Sequence, residues 1–266
     1  MQSLRHFLLA LQFFTRIPVT GRLAAWVGYS PAMLNAAAGH FPGVGWVVGG
    51  VGAAVLWGAL QLWGTTPLGA LVAVGLSTAA TAWLTGAFHE DGLADTADGL
   101  GGSVSRERAL EIMKDSRIGS YGTVTLVLAL GLKLALLALL AQRGAACAAT
   151  ALWAAHVLSR AAPLGVMCAL PYVSDAAQAK SKPLAEAVSR GSLVIAFLWS
   201  IPALALMEQA LGAIHLMAAL TLWGVALAAM LHLLRRRLQG FTGDTLGATQ
   251  QLCELALYLG LSLSLS

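Results

Sequence analysis

The chain has 266 residues, 58% of them hydrophobic and 11% charged, with a mean hydropathy of +0.76. Soluble domains carry roughly 25% charged residues, so this composition excludes a soluble globular protein and indicates an integral membrane one. The net charge of +4 is small enough to read as a topology signal before a nucleic-acid footprint. Cys147, Cys168 and Cys253 lie far apart in apolar runs with no Cys/His spacing, which excludes a zinc centre.

The first element, residues 1–22, contains the run LRHFLLALQFF, apolar except for Arg5, His6 and Gln12. It is too short to span a bilayer, and no small-residue cleavage site follows it. It reads as an interfacial or re-entrant helix. Seven later stretches approach the roughly 20 apolar residues that a spanning helix needs: 44–63, 67–87, 122–142, 145–170, 192–208, 212–234 and 246–264. Pro202 interrupts the fifth, and Gln250, Gln251 and Glu254 weaken the last, so six to seven spans are expected.

Basic residues orient these spans. With the N-terminus in the cytoplasm, Arg5, Arg16, Arg22, Arg106, Arg108, Lys114, Arg117, Lys180, Lys182, Arg190 and Arg235–Arg237 all lie inside. Arg143 alone lies outside, while Lys133 and Arg160 fall within spans. This asymmetry is the positive-inside pattern.

The longest piece between spans, 88–121, holds seven of the 12 acids: Glu90, Asp91, Asp95, Asp98, Glu107, Glu111 and Asp115. Its first part reads FHEDGLADTADGLGG. Asp91, Asp95 and Asp98 are spaced i, i+4, i+7, which puts them on one face of a helix. Like charges so placed repel, and no Lys or Arg lies between Gly86 and Val104. A divalent cation would answer that repulsion, and an all-oxygen set suits Mg²⁺ or Mn²⁺ rather than zinc. Gly99, Gly101 and Gly102 are expected to end the helix and leave backbone N–H groups for phosphate oxygens. A short helix after an N-capping Ser105 should follow, then Lys114, Asp115, Arg117 and Gly119, a set suited to a phosphorylated ligand. On the residues alone, a solvated acidic face and a proton or cation pathway remain open beside the metal–phosphate reading.

Other positions stand out less sharply. Asp244 sits in a Gly-rich turn within 235–247, as a helix N-cap or a further metal or phosphate contact. Arg235–Arg237 read as lipid-phosphate anchors. Arg160 and Glu254 are ionisable groups within spans, a functional signature by default; Lys133 has no evident partner. His89 adjoins the acids, but a helix would turn it away from their stripe.

The segments FHEDGLADTADGLGG, EIMKDSRIGSYG and GFTGDTLGA, with FFTRIP near the start and LSRAAP in the fourth span, closely resemble the cobalamin synthase family. The match runs in order from about residue 10 to 255. The resemblance implies an adenosylcobinamide-GDP ribazoletransferase of the bacterial cytoplasmic membrane that depends on Mg²⁺. Such an enzyme joins adenosylcobinamide-GDP to α-ribazole or its 5′-phosphate; a ribose hydroxyl attacks the corrinoid-linked phosphorus and GMP leaves. On this basis Asp91, Asp95, Asp98 and Asp115 would hold the metal. Lys114, Arg117 and Arg160 would neutralise phosphate, with Gly99, Gly119 and Glu90 also at the substrate. Asp98 or Asp244, rather than His89, would take the hydroxyl proton.

The expected architecture is therefore one all-α, polytopic membrane domain over 1–266: six to seven transmembrane helices, an N-terminal interfacial helix, a cytoplasmic acidic loop at 88–121 and a cytoplasmic turn at 235–247. The corrin should dock under a roof formed by 88–121 and 171–190. Membrane lipid is an expected partner, a homo-oligomer is compatible with this design, and nucleic acid is not expected. The alternatives are a cation-coupled secondary transporter, which would place its acids near the membrane midplane, and another membrane NDP-alcohol phosphotransferase.

Overall fold

The computed structural model describes residues 1–174 and 188–264. Lys180, Lys182 and most of the expected 171–190 roof lie outside the described residues. Among the described residues the chain is helical, apart from one isolated parallel bridge between Tyr172 and Phe241.

Three short helices come first: α1 (Gln2–Phe14), α2 (Gly21–Val27) and α3 (Pro31–Ala37). A 3-10 turn leads into α4 (Phe41–Trp63), and Gly64 to Thr66 turn the chain into α5 (Pro67–Thr85). The acidic segment forms α6 (Phe88–Gly101), followed by α7 (Arg106–Ile112). Then come α8 (Ser120–Ala141), α9 (Ala145–Ser159) and α10 (Ala162–Ala169). Last are α11 (Arg190–Leu211), α12 (Ala213–Arg237) and α13 (Gly243–Ser262). Among the described residues six segments are long and apolar enough to cross a membrane, so this is a polytopic helical membrane protein. They correspond to α3–α4, α5, α8, α9–α10, α11 and α12.

The seventh expected span, α13, is a helix of 20 residues but does not join that set. Its Gln250, Gln251 and Glu254 lower its hydropathy. It tolerates them because it lies inside the bundle, packed on α12, α6, α9, α8 and α10, rather than against lipid. By contrast α12 buries only 11% of its apolar window within the protein. It presents Met217, Leu220 and Val225 outward, as a lipid-facing helix does. Small residues allow the closest packing. A Cβ at Gly45 would meet the His156 carbonyl oxygen, so α4 and α9 touch backbone to backbone there.

The acidic segment is ordered helix rather than loop. The chain turns from α5 into α6 through Gly86 and Ala87, both left-handed at φ 68° and φ 57°. The Ala87 N–H closes on the Ala82 carbonyl, a Schellman-type stop. The far end of α6 is held by Arg237 of α12, which donates to the Leu100 and Gly102 carbonyls at 3.0 and 2.6 Å. That arginine, read as a lipid anchor, completes the α6 C-terminus instead. Ser105 caps α7 as expected, its Oγ accepting from the Arg108 N–H.

Candidate active site

Two helices bring the acids together. Gly92 of α6 lies against the backbone of Asp244 on α13, and Gly247 of α13 lies over His89 and Gly92. Asp91, Asp95 and Asp98 of α6 thereby gain Asp244 from a distant part of the sequence. Asp244 is not the N-cap of α13. Thr242 takes that place in a reciprocal box with Thr245, leaving the Asp244 carboxylate near the positive helix end.

The acids feel one another. Burial, then the charges of Asp91, Asp244 and Asp98 in that order, push the Asp95 carboxyl up to about 7. Neither Asp91 nor Asp95 makes an ion pair among the described residues. Asp98 is committed elsewhere: its two oxygens accept from the Gly119 and Gly122 N–H groups at 2.7 and 2.8 Å. It thus satisfies the otherwise unpaired amides at the start of α8, and it is a structural anchor before it is a ligand.

The remaining residues singled out by sequence divide. Asp115 does not join the stripe. Arg117 clasps it through Nη2 at 2.6 Å and Nε at 3.0 Å, holding its carboxyl down at about 2. Arg117 is exposed, and Lys114 beside it is exposed too. Gly119 spends its N–H on Asp98 rather than on a ligand. Gly99 does not end α6; it lies within the helix where Met113 and Ala109 pack on it. Glu90 points inward, accepting from the Gln251 amide at 3.2 Å.

Arg160 is only 4% exposed and also lies inward. It donates to the His156 carbonyl at 2.8 Å and stands 3.0 Å from His156 Nδ1. Lys133 finds its partner in Glu254 at 2.6 Å, and Gln250 and Tyr258 also donate to that carboxylate. Sequence reasoning missed this buried network. Its signal was there, since each of these polar residues interrupts an otherwise apolar span. His89 is buried and stacked on Phe14 at 5.6 Å, away from the aspartate stripe as the helical spacing required.

Among the described residues no three His, Cys, Asp or Glu side chains converge closely enough, as they stand, to enclose one ion. The chemistry of Asp91, Asp95 and Asp244 nevertheless suits a hard divalent cation: all oxygen, mutually repelling, and paired with no Lys or Arg among the described residues.

Fold and site together define a polytopic α-helical membrane protein with a carboxylate cluster where α6 meets the start of α13. The chain belongs to the cobalamin-5-phosphate synthase family, whose model matches residues 6–262. A Polaromonas naphthalenivorans protein called adenosylcobinamide-GDP ribazoletransferase is 58% identical, covering 100% of both chains. Proteins of the same name from Albidiferax ferrireducens and Shewanella amazonensis are 55% and 45% identical. They cover 99% and 98% of this chain and 99% and 96% of their own. No solved structure matches.

Proposed function

We propose that this protein transfers the cobinamide phosphate of adenosylcobinamide-GDP to α-ribazole or its 5′-phosphate, releasing GMP. Family membership and full-length relatives carrying the enzyme's name support the reaction. The observation that supports its location is the meeting of Asp91, Asp95 and Asp244 across the α6–α13 crossing.

Phosphoryl transfer asks a protein mainly to position reactants and balance charge. Asp91, Asp95 and Asp244 would hold Mg²⁺, with Asp98 fixing the floor of the site through α8. When bound, the ion supplies charge neutralisation at the diphosphate. Asp244 lies on a helix N-terminus, where the dipole favours anionic groups, and would accept the ribose hydroxyl proton. Only weak base help is needed for a loose transition state. Lys114 and Arg117, exposed beside the mouth, would meet the nucleotide phosphates. Arg160 is too deeply held for that task.

The chain sits in the bacterial cytoplasmic membrane with this mouth towards the cytosol. The distribution of basic residues supports that orientation, and it gives the site access to soluble nucleotides. The acids cluster beside helix ends rather than at mid-span, which favours an enzyme over a cation-coupled transporter.

Purified protein in liposomes, given adenosylcobinamide-GDP, α-ribazole and Mg²⁺, should release GMP, and EDTA should stop it. No GMP would refute the reaction; EDTA-insensitive release would refute the metal.

A further inference from the structure

Beside the crossing of α6 and α13 lies a narrow slot of about 40 Å³. Its walls are aromatic: Phe13 and Phe14 from α1, Phe41 from α4 and Phe88 from α6. His89, Arg160 and Gln250 supply its polar groups. These are 5%, 4% and 1% exposed, yet Arg160 Nε and Gln250 Oε1 have no hydrogen-bond partner. The His89 ring makes no hydrogen bond among the described residues. Unpaired polar atoms at this depth cost roughly 1–3 kcal/mol each, so such groups call for a water, an ion or a ligand that completes them.

The slot shares two of its walls with a larger space. Phe13 and Phe88 also line a wider groove of about 770 Å³, bounded further by Leu9, Gln12, Tyr29 and Leu34. That volume lies within the range of small-molecule sites. Phe88, 39% exposed, stands between groove and slot, and a base passing from one to the other would have to turn its ring aside. The slot also abuts the acidic site: Gly243, in its lining, directly precedes Asp244, and His89 is two residues before Asp91.

We infer that this aromatic slot binds the heterocyclic base of the ribazole substrate, with the attached ribose directed towards Asp244. The inference rests on the function proposed above. The slot's chemistry selects this base over the other one in the reaction. A benzimidazole is a flat, mostly apolar bicycle with one free acceptor nitrogen, matched by phenyl walls and a donor from Arg160 or His89. Guanine presents three N–H donors on one edge, and Gln250 Oε1 is the lone unpaired acceptor offered to them. No carboxylate lines the slot.

The test is a steady-state comparison of Phe13→Ala, Phe88→Ala and wild-type protein in liposomes, varying each substrate against saturation of the other. Loss of base stacking should raise the KM for α-ribazole about tenfold to a hundredfold and leave the KM for adenosylcobinamide-GDP unchanged. If either alanine variant fails to fold, Phe88→Trp provides the second reading. By narrowing the entrance it should lower kcat/KM more for the dimethylbenzimidazole nucleoside than for the unsubstituted benzimidazole one. A raised KM for adenosylcobinamide-GDP instead would assign the slot to guanine or the corrin and overturn the inference. So would unchanged KM values for both substrates, or an unchanged preference between the two nucleosides. All of these outcomes leave the proposed function standing if wild type releases GMP; absence of GMP from wild type would remove both.

Discussion

Replacing Gly92 by alanine puts one methyl group between α6 and α13. The added Cβ would lie 2.7 Å from the Asp244 carbonyl oxygen and 3.1 Å from its Cα, where ordinary contact starts at 3.4 Å. Both obstructing atoms are backbone, so no side chain can turn aside and the helices must part. Such overpacking costs about 1–3 kcal/mol, while alanine returns about 1 kcal/mol of helix propensity over glycine. The net loss of stability is therefore only about 0–2 kcal/mol, and the protein should still fold. Activity should suffer far more. A shift approaching 1 Å between Asp244 and the Asp91–Asp95 pair would cost about 10²-fold in turnover. Gly75→Ala in α5 is the control, because a Cβ there meets nothing within 4 Å. GMP release and thermal unfolding in detergent would be measured on the same preparations. Wild-type kcat in Gly92→Ala would refute the claim that this crossing sets the acids in register. A loss of activity no larger than the loss of folded protein would refute it equally.

Asp91→Asn should cut GMP release by on the order of 10²-fold or more with little change in melting temperature. Asp98→Asn should also lower stability, by about 1–3 kcal/mol, because Gly119 and Gly122 address different oxygens and one of these N–H groups would then face an NH2 donor; equal melting temperatures would contradict the anchoring role. Because the Asp95 carboxyl binds its proton more tightly in the folded state, metal-free protein should lose stability as pH rises from about 4 to about 7, then level off. The same proton competes with a cation, so Mg²⁺ affinity measured calorimetrically should weaken as pH falls below about 7, and a flat profile would remove Asp95 from the ligand set. Glu254→Gln should destabilise by about 3–5 kcal/mol by leaving Lys133 charged and unpaired, and Lys133→Met added to it should restore much of that loss, read as thermal unfolding of the single and double variants.

The lipid-facing part of this fold was legible because lipid demands a long, uniformly apolar helix, and the six qualifying segments announce themselves by hydropathy alone. The stripe of Asp91, Asp95 and Asp98 was legible for a different reason: helical periodicity is local, and α6 is a real helix. What could not be read was anything depending on contact between distant segments. Gly92 looks like a weak spot in a helix until Asp244 is known to lie against it. Asp98 looks like a third ligand until the amides of Gly119 and Gly122 are seen closing on it. Asp115 looks like a fourth ligand until Arg117, two residues on, is seen clasping its carboxylate. Arg160, Lys133 and Glu254 each looked anomalous in its own span; their meaning is mutual and lies only in the packed bundle.

The polarity of α13 has a consequence for how the molecule is made. A membrane inserts segments by their own hydropathy, and α13 carries Glu254 and two glutamines that make it a poor candidate for independent insertion. It is held by packing on α12 and among α6, α8 and α9, where Glu254 meets Lys133. It also delivers Asp244 and Gln250. Until this helix is seated, the aspartates of α6 have no opposite wall and the aromatic slot has no floor. Seating of α13 and completion of the carboxylate cluster are thus one event: a chain with α13 displaced has neither Asp244 against α6 nor Gln250 in the slot.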